Sequence, residues 1–186
     1  MILKKIEKIL SGRFIHRYNI TYETVDHRKK VYEMISRDDN IQTKEDLSRR
    51  SADGVVMMVH DEANEKIVLN REYRLSIGQE VYSFPAGLID KGETPVIAAK
   101  RELKEETGLT LIKVVETLAE SYSAVGFSNE KNICMEVIAK GEFSPSSSTM
   151  EEIEAAWYTK EEVRHLLKTQ MFAGRTQVYC YLWSKE

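Results

Sequence analysis

Apolar residues recur along this chain with two periods, and the change from one to the other marks its elements. Short runs rich in β-branched and aromatic residues predict strands over 15–24 and 30–36, joined by the turn Asp26-His27-Arg28. Two more are expected over 55–60 and 66–71, joined by Asp61-Glu62-Ala63-Asn64, and others over 111–122, 132–139 and 153–158, the last interrupted by Glu154. Helical spacing begins after Pro95, where Val96, Ala99 and Leu103 form a narrow apolar stripe and Lys100 and Lys104 point to solvent. Asp90-Lys91-Gly92 is a turn signal, Thr94 is placed to cap, Pro95 suits the first helical position, and Gly108 suits a left-handed end. Segments 160–167 and 176–183 read as closing helices, although the aromatic-rich second one also suits a strand, and SPSSST over 144–149 reads as a loop.

This order divides the chain into an N-terminal β segment over 1–50, ending in the polar stretch 37–50, and a main domain over 51–186. A lone hairpin seldom folds by itself, so the N-terminal segment is expected to pack on the main domain or on a second copy of the chain. Strands enclosing one helix, with helices outside them, give an α/β or α+β sandwich.

Composition narrows the function. With 42% hydrophobic and 31% charged residues the chain can build a core and a soluble surface, and a net charge of -3 offers no broad basic field for nucleic acid. No apolar run approaches the roughly 20 residues of a membrane span, and Lys4 and Lys5 break the N-terminal one, so a cytoplasmic protein is expected. Cys134 and Cys180 lack CxxC spacing and read as two buried reduced thiols. His16 and His27 have no neighbours at ligand spacing and read as structural or exposed.

The chemistry concentrates in GLIDKGETPVIAAKRELKEETGL, residues 87–109. Glu102, Glu105 and Glu106 follow Arg101 on the helix and fall within roughly 100° of arc. Like charges at these spacings repel. Lys104 lies about 100° from either neighbour on the wheel, so a cation from outside the chain is the expected partner.

The spacing G-x5-E-x7-R-E-U-x-E-E-x-G-U, with U aliphatic, is met by Gly87, Glu93, Arg101, Glu102, Leu103, Glu105, Glu106, Gly108 and Leu109. By this pattern the chain resembles the Nudix hydrolases, with no fixed position departing. The resemblance implies an α/β/α sandwich with a mixed sheet. It also implies Mg²⁺ or Mn²⁺ on Glu102 and Glu106, with Glu105 as further ligand or base and the Ala86 carbonyl completing the sphere. Gly87 lets the backbone approach the metal closely, and Arg101 and Glu93 orient the carboxylates and the loop. In the sugar-nucleotide type a glutamate on a late loop often takes the proton from water; here that loop is 144–154, with Glu151 the first choice and Glu152 the second.

Outside the box, the N-terminal β segment, the run Arg71-Glu72-Tyr73-Arg74 and Phe84-Pro85-Ala86-Gly87 resemble the ADP-ribose pyrophosphatase branch. That resemblance implies a small-molecule nucleotide-sugar substrate, cleaved to a nucleoside monophosphate and a sugar phosphate. It further implies a homodimer whose N-terminal segments help line each site, with Arg74 and Arg50 on the diphosphate or terminal ribose. Two departures bear on the sugar: Val125 stands where the branch usually carries proline after the box, and Ser83 where many members carry glutamate. The alternatives are a nucleoside triphosphate pyrophosphohydrolase and a non-catalytic module that senses a nucleotide sugar; RNA cap processing is weakened by the lack of a basic stripe.

Overall fold

In the computed structural model, which describes residues 1–48, 51–147 and 151–185, the chain begins with β1 (Ile2–Ser11), β2 (His16–Glu23) and β3 (Lys29–Ser36). Next come β4 (Gly54–His60), β5 (Lys66–Arg74), β6 (Gln79–Ser83), β7 (Ala86–Leu88) and the helix α1 (Pro95–Thr107). The remaining elements are β8 (Thr110–Thr117), β9 (Ser121–Tyr122), β10 (Lys131–Lys140), β11 (Ile153–Thr159), α2 (Lys160–Thr169) and α3 (Gly174–Trp183). They form two compact units, Met1–Asp53 with Glu120–Asn132, and Gly54–Ala119 with Ile133–Glu186.

In the first unit, β1, β2 and β3 make an antiparallel sheet in that order. The expected hairpin is β2–β3, and β1 adds a third strand that the sequence pattern hides. Register shifts between Leu3 and Lys5 and between Lys8 and Leu10 break its alternation, so no period of two runs along it. Tyr18, Ile20, Met34 and Ile41 form the core of this unit, with Leu3, Ile6, Tyr22 and Leu47 packed against it. Residues 120–132 belong here too: Ile35 N–H donates to the Phe127 carbonyl at 2.8 Å, and Arg37 pairs with Glu130 at 2.9 Å. The single strand expected over 111–122 is therefore two, β8 and β9.

In the second unit the strand order is β11-β5-β4-β10-β8, with β6 on β5 and β7 on β4, and the sheet is mixed. Strand β4 is buried along its whole length, which is why it reads as an unbroken apolar run rather than an alternation. Val55, Met57 and Val59 face one core with Val68, Ala98, Ala99 and Leu103; Val56 and Met58 face another with Ile67, Leu69, Val163, Cys180 and Trp183. Helices thus cover both faces of the sheet, as an α/β/α sandwich requires. The last segment is a helix because Thr176, Cys180 and Trp183 are buried at i, i+4 and i+7, a spacing a strand would split between two faces. Both cysteines are free; only Cys180 is fully buried, and burial pushes its thiol up to about 12, while Cys134 is half-buried. Among the described residues no helix is long and apolar enough to cross a membrane.

Candidate active site

Helix α1 starts and stops where its sequence dictates, and this fixes which way its carboxylates face. The Thr94 hydroxyl accepts from Ile97 N–H at 3.4 Å, and Gly108 ends the helix at φ 79°, donating to the Lys104 carbonyl at 3.0 Å. Ala98, Ala99 and Leu103 turn into the core. Glu102 then lies against Gly87 of β7 and Glu106 against Asn70 of β5 and Ala86 of β7, while Glu105 stays exposed.

Two of the three carboxylates meet a cation of the chain itself. Arg101 donates to both oxygens of Glu93 at 2.9 and 2.7 Å, to Glu102 at 2.8 Å, to Glu105 at 3.3 Å and to the Leu88 carbonyl at 3.0 Å. Beside the outside cation expected for the three carboxylates, the chain thus supplies a cation of its own to Glu102 and Glu105, and none to Glu106. The planar guanidinium reaches sideways from α1, where Lys104 instead donates to the Gly108 carbonyl at 2.5 Å. Glu93 also accepts from Asp90 N–H at 3.0 Å, tying the turn before the helix to the same fork. The hydrogen bond from Arg101 holds the Glu93 carboxyl down at about 2, and the Glu93 bond raises the Arg101 guanidinium above its ordinary value.

Two carboxylates are withdrawn from water. An ideal Cβ on Gly87 would stand 1.9 Å from the Glu102 carboxyl carbon, so Glu102 occupies the space that the glycine leaves. Burial raises the Glu102 carboxyl against the pull of Arg101, and the charges of Glu105 and Glu151 raise it further. Glu106 is only 9% exposed, and its Oε2 accepts from Asn70 Nδ2 at 2.8 Å and from Ala86 N–H at 3.2 Å. Burial raises its carboxyl well above the ordinary value; the Asn70 bond works against this, and the charges of Glu102 and Glu72 add to it.

A divalent cation suits this donor set. The oxygens are hard, two of the carboxylates are desolvated next to each other, and Asn70 Oδ1 is buried without a hydrogen-bond partner. In the present arrangement the side chains do not converge on one point, and among the described residues no three acidic, imidazole or thiol groups are so gathered. The reason lies in the pairings: Glu102 and Glu105 turn to Arg101, and Glu106 turns to Asn70.

The other expected residues are placed as follows. The loop after β10 is pinned to the end of α1 by Ser144 N–H on the Thr107 carbonyl at 3.0 Å and Ser147 N–H on the Glu105 carbonyl at 2.9 Å. Beyond it Glu151 is exposed, yet its charge acts on Glu102. Glu152 is also exposed, its carbonyl accepting from Tyr73 N–H at 3.2 Å, and Glu154 pairs with Arg71. Arg74 is exposed and pairs with Glu72 at 2.6 Å, while Arg50 lies outside the described residues. The sequence expectations leave out Asn70 and carry Glu72 only within the run Arg71-Glu72-Tyr73-Arg74. Their signal was a polar residue directly after the buried run Ile67-Val68-Leu69, and the i, i+2 spacing that puts Val68, Asn70 and Glu72 on the α1 side of β5.

A family model described as the NUDIX domain matches residues 49–182. The chain is 30% identical over 151 residues, 80% of its length, to a Caenorhabditis elegans protein whose name places it among the nudix hydrolases, covering 65% of that protein. It is 30% identical over 124 residues to the ADP-ribose pyrophosphatase of Bacillus subtilis, covering 67% of this chain and 58% of that protein. Both matches span less than two thirds of the relative's own length. Among solved structures, one described as an ADP compounds hydrolase superposes with a TM-score of 0.72 at 20% identity, covering 100% of this chain and 93% of that one, a likeness of fold.

Proposed function

The chain belongs to the Nudix family, and from that premise we propose that it hydrolyses the diphosphate bond of a nucleoside diphosphate sugar, ADP-ribose first, to a nucleoside monophosphate and a sugar phosphate. The observation that carries this reading is the desolvated carboxylate pair, Glu102 in the space left by Gly87 and Glu106 on the Ala86 N–H. The names of the relatives, which include ADP-ribose and ADP-sugar pyrophosphatases, support the substrate class.

A bound Mg²⁺ or Mn²⁺ would neutralise the diphosphate and stabilise the leaving oxygen. Glu102, Glu106 and Glu105 would hold it, with the Ala86 carbonyl. Arg101, itself gripped by Glu93, is the candidate to orient Glu102 and Glu105, to which its guanidinium donates. Glu151, whose charge reaches Glu102, is the first choice to take the proton from the attacking water, and Glu152 the second. Arg74 is the candidate for the diphosphate or terminal ribose, exchanging its carboxylate partner Glu72 for a phosphate oxygen.

The test is product release from ADP-ribose, other nucleoside diphosphate sugars and nucleoside triphosphates, each with Mg²⁺, Mn²⁺ and excess chelator. Monophosphate from a diphosphate sugar, abolished by chelator, is expected. Pyrophosphate released from triphosphates alone would replace the substrate class, and binding without turnover would make the chain a sensing module. Glu106→Gln should stay folded and lose at least about tenfold in metal-dependent turnover; an unchanged rate would remove Glu106 from the ligand set.

A further inference from the structure

Asn70 is 1% exposed and stands where β5 passes from its apolar run to its polar end, one step beyond Val68 on the side that faces α1. The Asn70 amide presents its NH₂ to Glu106. That bond, 2.8 Å long, ends on Oε2, and so does the 3.2 Å bond from Ala86 N–H. Two donors from different strands therefore hold one oxygen, and Oε1 is left without a protein donor among the described residues. Asn70 Oδ1 is itself buried with no hydrogen-bond partner, so only half of the amide is used by the protein.

We propose that Asn70 is a positioning residue for the metal site: with the Ala86 N–H it locks Oε2 of Glu106 and so presents Oε1 as the single oxygen offered to the cation. This deepens the hydrolase reading above and rests on it. The choice of a neutral donor has a physical reason. Lysine or arginine at this position would place a full positive charge on Glu106 and compete with the cation for it. An aliphatic residue would continue the core but leave the carboxylate free to rotate about its last bond. An amide steers the carboxylate without neutralising it, and its unused Oδ1 remains as a neutral acceptor for a further polar group at the site.

The inference is tested by titrating the free protein with Mn²⁺, without substrate, and counting unbound ion by electron paramagnetic resonance. Asn70→Leu keeps the branched shape and the number of side-chain heavy atoms, and removes both polar atoms. Its Mn²⁺ dissociation constant is expected to rise at least about tenfold, as for other residues that orient a metal ligand, with the circular dichroism of the wild type. A purely structural role would lower the melting temperature and leave the Mn²⁺ affinity of the folded protein unmoved, and that result would overturn the proposal. If Asn70→Leu does not fold, Asn70→Ala is read by the same titration and the same criterion. A wild-type chain that takes up no Mn²⁺ would sink the metal reading itself and this inference with it; equal binding by wild type and a folded variant sinks this inference alone.

Discussion

At Gly87 a single methyl group would take the space that the Glu102 carboxylate fills. The ideal Cβ there would lie 2.1 and 2.3 Å from the two Glu102 oxygens. The obstructing atoms are the end of a flexible side chain, so the fold can yield by moving the carboxylate, and the site cannot. Gly87→Ala is therefore expected to keep its far-ultraviolet dichroism and melt near the wild type, while Mn²⁺ affinity and turnover fall at least about tenfold. Unchanged metal affinity would show that Glu102 is not held by this close approach. Arg101 makes a complementary point. Its type and place were evident in the sequence, but its bidentate grip on Glu93 depends on the turn at Asp90 bringing Glu93 back beside the helix.

At the scale of elements, α1 does more than display carboxylates. Its last turn leaves carbonyls that the helix itself cannot satisfy, and the Thr107 carbonyl, with that of Glu105, is taken by the loop that leads toward Glu151. Gly108 makes this possible: at φ 79° it turns the chain, and a Cβ there would meet the Ser144 backbone nitrogen at 2.7 Å. Gly108→Ala combines a left-handed backbone that side chains resist with a clash against main chain, and should cost at least about 1–2 kcal/mol. Thermal unfolding followed by dichroism should show this as a fall in melting temperature of several degrees. A melting temperature equal to the wild type would mean that the loop moves away freely and is not fastened to the helix end.

At the scale of the whole molecule, the proposed dimer draws on the first unit. The end of β1 exposes Ile9 and Leu10 (66%) and the connection to β2 exposes Phe14 (65%) and Ile15, apolar residues that suit contact with another chain. Sedimentation equilibrium should give twice the 21.5 kDa of one chain, and Phe14→Asp should shift that mass toward the single chain. A wild-type mass of 21.5 kDa would remove the idea that two copies build each site.

Legibility followed the range of the interactions. The α1 helix was readable end to end because its cap, its first-turn proline and its terminal glycine act within a few residues, and the spacing of Gly87, Glu93, Arg101, Glu102, Glu105 and Glu106 already named the family. The buried run of β4 and the helical period of α2 were visible for the same local reason. Strand β1 was not, because two register shifts erase its alternation and only its partner β2 defines it. Nor was the role of Asn70, which depends on a side chain 36 positions away. The desolvation of Glu102 and Glu106 likewise comes from packing β5 and β7 against α1. The order of residues along the chain determined the carboxylates, their arginine and their helix; tertiary structure decided which of them leave water, which turn to Arg101 and which oxygen remains free. Burial and hydrogen bonding across strands depend on what folding brings alongside, and no local spacing encodes that.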